Sequence, residues 1–171
     1  MVRRVVALLA LLLTTAPAAA TFSSQSAKRE PGVVKAPKDF ALRLEFGCST
    51  PDIINTMAGT YTVSGAWPRS AVAQIYVSSK LKDELFRVIT DQQFFSMSAR
   101  VHGLGICEPG TNYTLWVTSG GRSHTVSWSD CHVDPVDDTG VRVRALADGI
   151  VKPFHNMGAV KQILNLRPLC L

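Results

Sequence analysis

Between Asp39 and Gly47 the chain alternates, with Phe40, Leu42, Leu44 and Phe46 on one side and Ala41, Arg43 and Glu45 on the other. Successive side chains of a strand point to opposite faces, so this period of two predicts a half-buried strand. Gly47 to Ala58 contains Pro51, Asp52 and Asn55 and reads as a loop. Thr60–Ser64, with Tyr61 and Val63 on one face, is a second predicted strand. After the break at Gly65-Ala66-Trp67-Pro68, Ala71–Val77 is a third, turning Ala71, Ala73, Ile75 and Val77 inward. The period then changes. Ser78 and Ser79 are good helix N-caps, and Leu81, Leu85, Val88 and Ile89 share one face of a helix predicted from about Lys80 to Gln93. Phe94 and Phe95 follow and plug the end of that helix into the core.

The segment Thr111–Asp130 predicts a hairpin. Gly120-Gly121 supplies the positive φ values that a two-residue turn needs. Placing the turn there sets Ser119 opposite Arg122, Val117 opposite His124, Leu115 opposite Val126 and Tyr113 opposite Trp128. A slip of one residue would scramble these matches, so the apolar pattern fixes the register. Asp138 or Thr139 can cap a second helix, whose apolar stripe is Val143, Leu146, Ala147, Ile150, Val151 and Phe154; Gly149 weakens it locally. Met157–Leu171 is apolar only in patches. The resulting order is βββα–ββα. Short connections between consecutive strands favour an antiparallel sheet, and two one-sided helices cover one of its faces. The expected architecture is an α+β two-layer sandwich.

The chain has 171 residues, and its start does not belong to this pattern. Arg3 and Arg4 precede an apolar run from Val5 to Leu13, and Ala18-Ala19-Ala20 ends a small-residue stretch. That is the layout of a signal peptide over residues 1–20, and the run is about half of the ~20 apolar residues that a membrane span requires. Residues 21–38 read as a flexible leader and 39–171 as one domain, exported to the outside, the periplasm or the cell envelope. Without Arg3 and Arg4, 16 basic residues face 13 acids, a net charge of +3 with no basic stripe. That balance argues against nucleic acid as a partner, and no stable membrane insertion is expected after cleavage.

Cys48, Cys107, Cys131 and Cys170 all follow the leader. In an oxidising compartment an even count implies disulfides, and four cysteines allow three pairings. Cys107 and Cys131 flank the two ends of the hairpin, which favours Cys107–Cys131 and leaves Cys48–Cys170.

Phe94-Phe95 at a helix end, then Tyr113-Thr114-Leu115-Trp116-Val117, Gly120-Gly121-Arg122, Ser123-His124-Thr125-Val126 and a final helix, form a pattern that resembles the emfourin family over roughly residues 75–154. Emfourins are small bacterial inhibitors of thermolysin-like metalloproteases such as protealysin. The resemblance implies an α+β fold and an extracellular protease as partner. The signal peptide, the longer N-terminal part, the glycine-containing loop and the four cysteines depart from the family, and no inhibitory residue maps onto a position here.

Candidate chemistry is sparse. His102, Cys107, Glu108, His124, Asp130, Cys131 and His132 are ligand types, but their spacing fits no zinc pattern. Ser123, His124 and Asp130 contain the residue types of a hydrolytic triad, yet Ser123 and His124 are strand neighbours and must diverge. Asp137-Asp138 reads as a helix-capping turn rather than a calcium loop. Asn112-Tyr113-Thr114 is a formal glycosylation sequon. We therefore expect no catalytic residue, no metal and no cofactor. The outer face of the predicted sheet carries Arg43, Glu45, Thr60, Thr62, Gln74, Tyr76, Thr114, Trp116, Thr125 and Ser127. Tyr and Trp on a rigid surface are common binding anchors, so Arg43, Thr62, Tyr76, Thr114 and Trp116 are the candidate binding residues. Three functions follow from these features: a secreted non-enzymatic binder that inhibits an extracellular protease, an envelope or adhesion-type module using the face around Trp116, and a metal-assisted hydrolase using the His/Cys cluster.

Overall fold

The computed structural model describes residues 34–48, 50–65, 70–101, 110–130 and 137–166. Its strands are β1 (Ala41–Gly47), β2 (Asp52–Asn55), β3 (Thr60–Val63), β4 (Ala71–Gln74), β5 (Asn112–Ser119) and β6 (Arg122–Ser129). The helices are α1 (Ser79–Asp91), α2 (Asp138–His155) and α3 (Gly158–Leu164), with a 3-10 turn at Phe94–Ser96. All six strands pair antiparallel in one open sheet of order β4-β3-β2-β1-β5-β6, so the fold class is α+β as the pattern predicts.

The alternation in β1 sets the two faces. Leu42, Leu44 and Phe46 are buried, and register carries that burial outward to Ile54, Tyr61 and Ala73 on one side and to Leu115, Val117, Val126 and Trp128 on the other. Leu81, Leu85 and Ile89 of α1, Val143, Leu146, Ile150 and Phe154 of α2, and Val160 of α3 belong to the same core. The helices therefore cover a single sheet face, as a two-layer sandwich requires.

The hairpin has the predicted register throughout, including Tyr113↔Trp128, Val117↔His124 and Ser119↔Arg122. Tyr113 and Trp128 stack at 5.0 Å with 5° between their planes, and Phe46 of β1 continues the stack at 6.3 Å from Tyr113. Gly120 and Gly121 adopt φ of +58° and +71°, the conformation that glycine alone adopts without steric cost. Their N–H groups donate to the carboxylate of Asp39, at 2.9 and 2.7 Å, so a residue two positions before the first strand locks the hairpin tip. These bonds, that from Gly121 first, hold the Asp39 carboxyl below its ordinary pKa. A lowered folded-state pKa contributes stability that is complete above the unfolded value and disappears as pH falls through the folded one. The stability difference between the wild type and Asp39→Ala, measured by urea unfolding, is expected to be constant above about pH 4 and to shrink below it. A difference that stayed constant into acid would show that the charge is irrelevant to this cap.

Two elements differ from the sequence reading, which expected five strands and two helices. Asp52–Asn55 is a strand, not part of a loop, and it pairs with β1 through Phe46↔Asp52 and Leu44↔Ile54. Its buried Asp52 lies on the apolar face and accepts from the N–H of Ser64 at 3.1 Å. An acid at an inward position, next to Pro51, conceals the alternation. The turn after β2 is set by Asn55, whose Oδ1 accepts from the N–H groups of Met57 and Ala58. The second difference is α3, which packs Val160 into the core against β3 and β4. The third predicted strand is also shorter, ending at Gln74 instead of Val77.

The remaining boundaries follow local chemistry. Ser78 caps α1 by accepting from Leu81 N–H at 3.2 Å. Asp137, one residue earlier than expected, caps α2 by accepting from the N–H groups of Thr139 and Gly140. The outer edge of β6 is partly closed by Ala99–Val101, which runs parallel to it: Val101 N–H donates to Ser127 O, and Ser127 N–H to Ala99 O. Covering an edge in this way blocks edge-to-edge pairing with another chain.

Candidate functional site

On the uncovered face, register places the candidate residues in rows. One row runs Gln74, Thr60, Asn55, Arg43, Trp116, Thr125, and the next Val72, Thr62, Ile53, Glu45, Thr114, Ser127. Arg43, Thr62, Thr114 and Trp116 are thus brought onto one face from three strands, β1, β3 and β5. Tyr76 is not within this hydrogen-bonded array. It lies two residues past the end of β4 and is 85% exposed; the chain is already turning there towards the Ser78 cap.

Trp116 is half-buried although no helix of the described residues lies over it. Its cross-strand neighbour Arg43 places its guanidinium carbon 5.4 Å from the ring centroid, a cation–π contact. The same guanidinium forms an ion pair with Glu45, two residues along the strand. Around this triplet are hydroxyls linked in pairs: Ser127 donates to Thr114 at 3.2 Å, and Thr118 and Ser123 lie 3.0 Å apart. The face is therefore almost neutral, rich in donors and acceptors, and centred on one aromatic held in place by its neighbours. Such an arrangement suits recognition.

The other candidates are separated. His124 points to the helix side, its Nε2 2.9 Å from the Met97 carbonyl and its ring edge-on to Phe94 at 5.3 Å. Ser123 points the opposite way, towards Thr118. Asp130 is at the far end of β6, where its carboxylate accepts from Thr111 N–H at 2.7 Å. No triad can form from these three. Asp137 is engaged as the α2 cap, and Asp138 contacts Arg142 at 3.7 Å. Asn112 is exposed at the start of β5, so its sequon is accessible. Among the described residues, no group of three or more His, Cys, Asp or Glu could hold a metal ion, and no helix is long and apolar enough to cross a membrane. Cys48 follows β1 and is disulfide-bonded. Cys107, Cys131 and Cys170, like His102, Glu108 and His132, lie outside the described residues; the pairings Cys107–Cys131 and Cys48–Cys170 remain proposals.

Two features escaped the sequence reading. The first is a hydrogen bond of 2.8 Å between the Tyr61 hydroxyl and His155 Nε2, beneath the aromatic stack of Phe46 and Tyr113. A buried tyrosine hydroxyl needs a partner. His155 directly follows the last apolar position of α2, and that proximity was the one available signal. The second is a groove of about 530 Å³ between the end of α1 and the hairpin tip, lined by Pro37, Phe86, Ile89, Phe95 and Arg122 among others. It exists because Gln93 adopts a left-handed φ of +50°, which sends Phe94 into the core and leaves Phe95 half-buried. Arg142 of α2 fixes that turn by donating to the carbonyls of Gln92 and Gln93. A side chain at positive φ is strained relative to glycine, so Gln93→Gly is expected to raise the unfolding free energy by about 0.5–1 kcal/mol. Urea unfolding with an unchanged slope checks this; a loss of stability would show that the glutamine side chain contributes more than its backbone costs.

No protein-family model matches this chain, and no characterised protein is found to be similar to it.

Proposed function

We propose that this chain is an exported, non-enzymatic binding module of the cell envelope whose contact surface is the open sheet face around Trp116. The observation that carries this reading is the alignment of Thr62, Arg43, Trp116 and Thr114, from β3, β1 and β5, on a face that no helix of the described residues covers. Trp116 is oriented in advance by Arg43, which is itself paired with Glu45. A partner therefore meets an ordered aromatic anchor and loses little side-chain freedom in binding it.

The test is co-sedimentation of the mature domain, from Thr21 onward, with cell envelopes of the source organism. Trp116→Ala is expected to weaken retention by at least about 2 kcal/mol, roughly thirtyfold, while the protein stays folded and loses about 1 kcal/mol of stability with the Arg43 contact. Equal retention of wild type and variant would remove this face from consideration.

Protease inhibition is the second reading, and one feature favours it. Both ends of the Ser96–Gly110 connection are anchored, at Ala99–Val101 by pairing with β6 and at Thr111 by its two hydrogen bonds with Asp130. Anchored ends limit the freedom that a loop loses on entering a protease cleft. Titration against a thermolysin-type metalloprotease decides it: stoichiometric loss of activity supports inhibition, and full activity at micromolar excess of the domain ends it.

A further inference from the structure

The groove at the hairpin tip belongs to the helix-bearing side of the sheet and is independent of the Trp116 face. Its volume of about 530 Å³ falls within the roughly 300–1,000 Å³ of small-molecule sites. The apolar surface is supplied by the half-buried Phe86 and Phe95, with Pro37 as one wall and the buried Ile89 and Phe94 beneath. Most polar groups along it are already engaged within the chain. The Thr90 hydroxyl donates to Phe86 O, the Ser96 hydroxyl to Gln93 O, and Gly120 N–H to Asp39. A peptide backbone would find few partners here.

Arg122 is the one charged residue among those lining the groove. Its guanidinium carbon lies 4.9 Å from the centroid of the Phe95 ring, at the edge of the apolar floor. Among the described residues it has no carboxylate within ion-pair distance, and the nearby acid, Asp39, is engaged by the turn N–H groups. A planar guanidinium next to an apolar trough is complementary to a carboxylate on a hydrocarbon body. The strained Gln93 turn that opens the trough fits the tendency of such outliers to collect at ligand sites. We propose that this groove binds an acyl carboxylate, a fatty-acid anion of medium length, with its head on Arg122 and its chain along Phe95, Phe86 and Pro37.

The experiment is an NMR titration of the mature chain with sodium octanoate below its micelle concentration, run beside 1-octanol and octyltrimethylammonium. One octanoate per chain is expected, with amide shifts confined to the neighbourhood of Thr90, Phe95 and Gly120. It should bind about tenfold or more tighter than octanol, and the ammonium more weakly still. Arg122→Gln should reduce octanoate to the affinity of octanol while leaving octanol unchanged, and Arg122→Lys should restore part of the difference. Independently of any variant, acidification that protonates the ligand should abolish the preference of the wild type for octanoate over octanol. The proposal is overturned if octanoate binds no tighter than octanol, if Arg122→Gln leaves octanoate binding unchanged, or if the shifts cluster around Trp116. Shifts at the groove that follow protein concentration, without ligand, would assign it to a second copy of the chain and equally overturn the proposal.

Discussion

Phe94→Ala is expected to lower the unfolding free energy by about 3–5 kcal/mol, while the same truncation one residue on, Phe95→Ala, costs only about 1 kcal/mol. The two rings are adjacent in sequence and packed edge to face at 5.6 Å, yet their environments differ. Phe94 is completely buried. It joins the end of α1 to the hairpin tip through His124, whose ring lies edge-on to it at 5.3 Å and whose Nε2 is tied to the Met97 carbonyl. Removing the ring leaves a cavity between a helix end and a strand, neither of which can collapse without breaking that hydrogen bond. Phe95 is half-buried in the groove wall, with the exposed guanidinium of Arg122 over its ring, a contact worth about 0.5–1 kcal/mol at such a site. Equal losses at the two positions in urea denaturation would show that both rings belong to the core and that the groove is closed in solution.

The contrast also marks what could be read from the sequence. Phe94-Phe95 was legible as a plug for the helix end, but not as one ring inward and one at the surface. That division is made by the left-handed turn at Gln93, a residue with no preference for it. The hairpin was legible in full because turn chemistry and apolar matching agreed on one register. The candidate face followed from it, since Arg43, Thr114 and Trp116 needed only the alternation of β1 and β5. Thr62 joined them through β2, although that strand was hidden by the inward Asp52, because an intervening antiparallel strand preserves which face its neighbours present. The register alone did not reveal that Arg43 would lie over the indole. The Tyr61–His155 bond and the groove were illegible because each depends on the position of a helix end relative to the sheet, which periodicity does not encode.

Gly149→Ala tests that helix placement most directly, because its two effects oppose each other. In an exposed helix the change would gain about 1 kcal/mol of propensity. Here a Cβ at position 149 would stand 2.8 Å from Val88 Cγ1 and 3.0 Å from Cγ2, where α2 crosses α1. Valine in a helix keeps one strongly preferred χ1, so its methyl groups cannot rotate clear, and the helices must separate. Overpacking of this kind costs about 1–3 kcal/mol, so the single variant is expected to be less stable than wild type by up to about 2 kcal/mol. In a Val88→Ala background the obstruction is gone, and the same glycine-to-alanine change should be neutral or stabilising by up to about 1 kcal/mol. The double-mutant cycle should therefore show a coupling of about 1–3 kcal/mol, measured by chemical denaturation of all four proteins. If Gly149→Ala proves stabilising on its own, α1 and α2 are not held at this distance, and the core beneath them must tolerate their separation. A coupling near zero, with both single variants destabilised, would mean that the two residues act on separate parts of the core and that the glycine is required by the helix backbone and not by its neighbour.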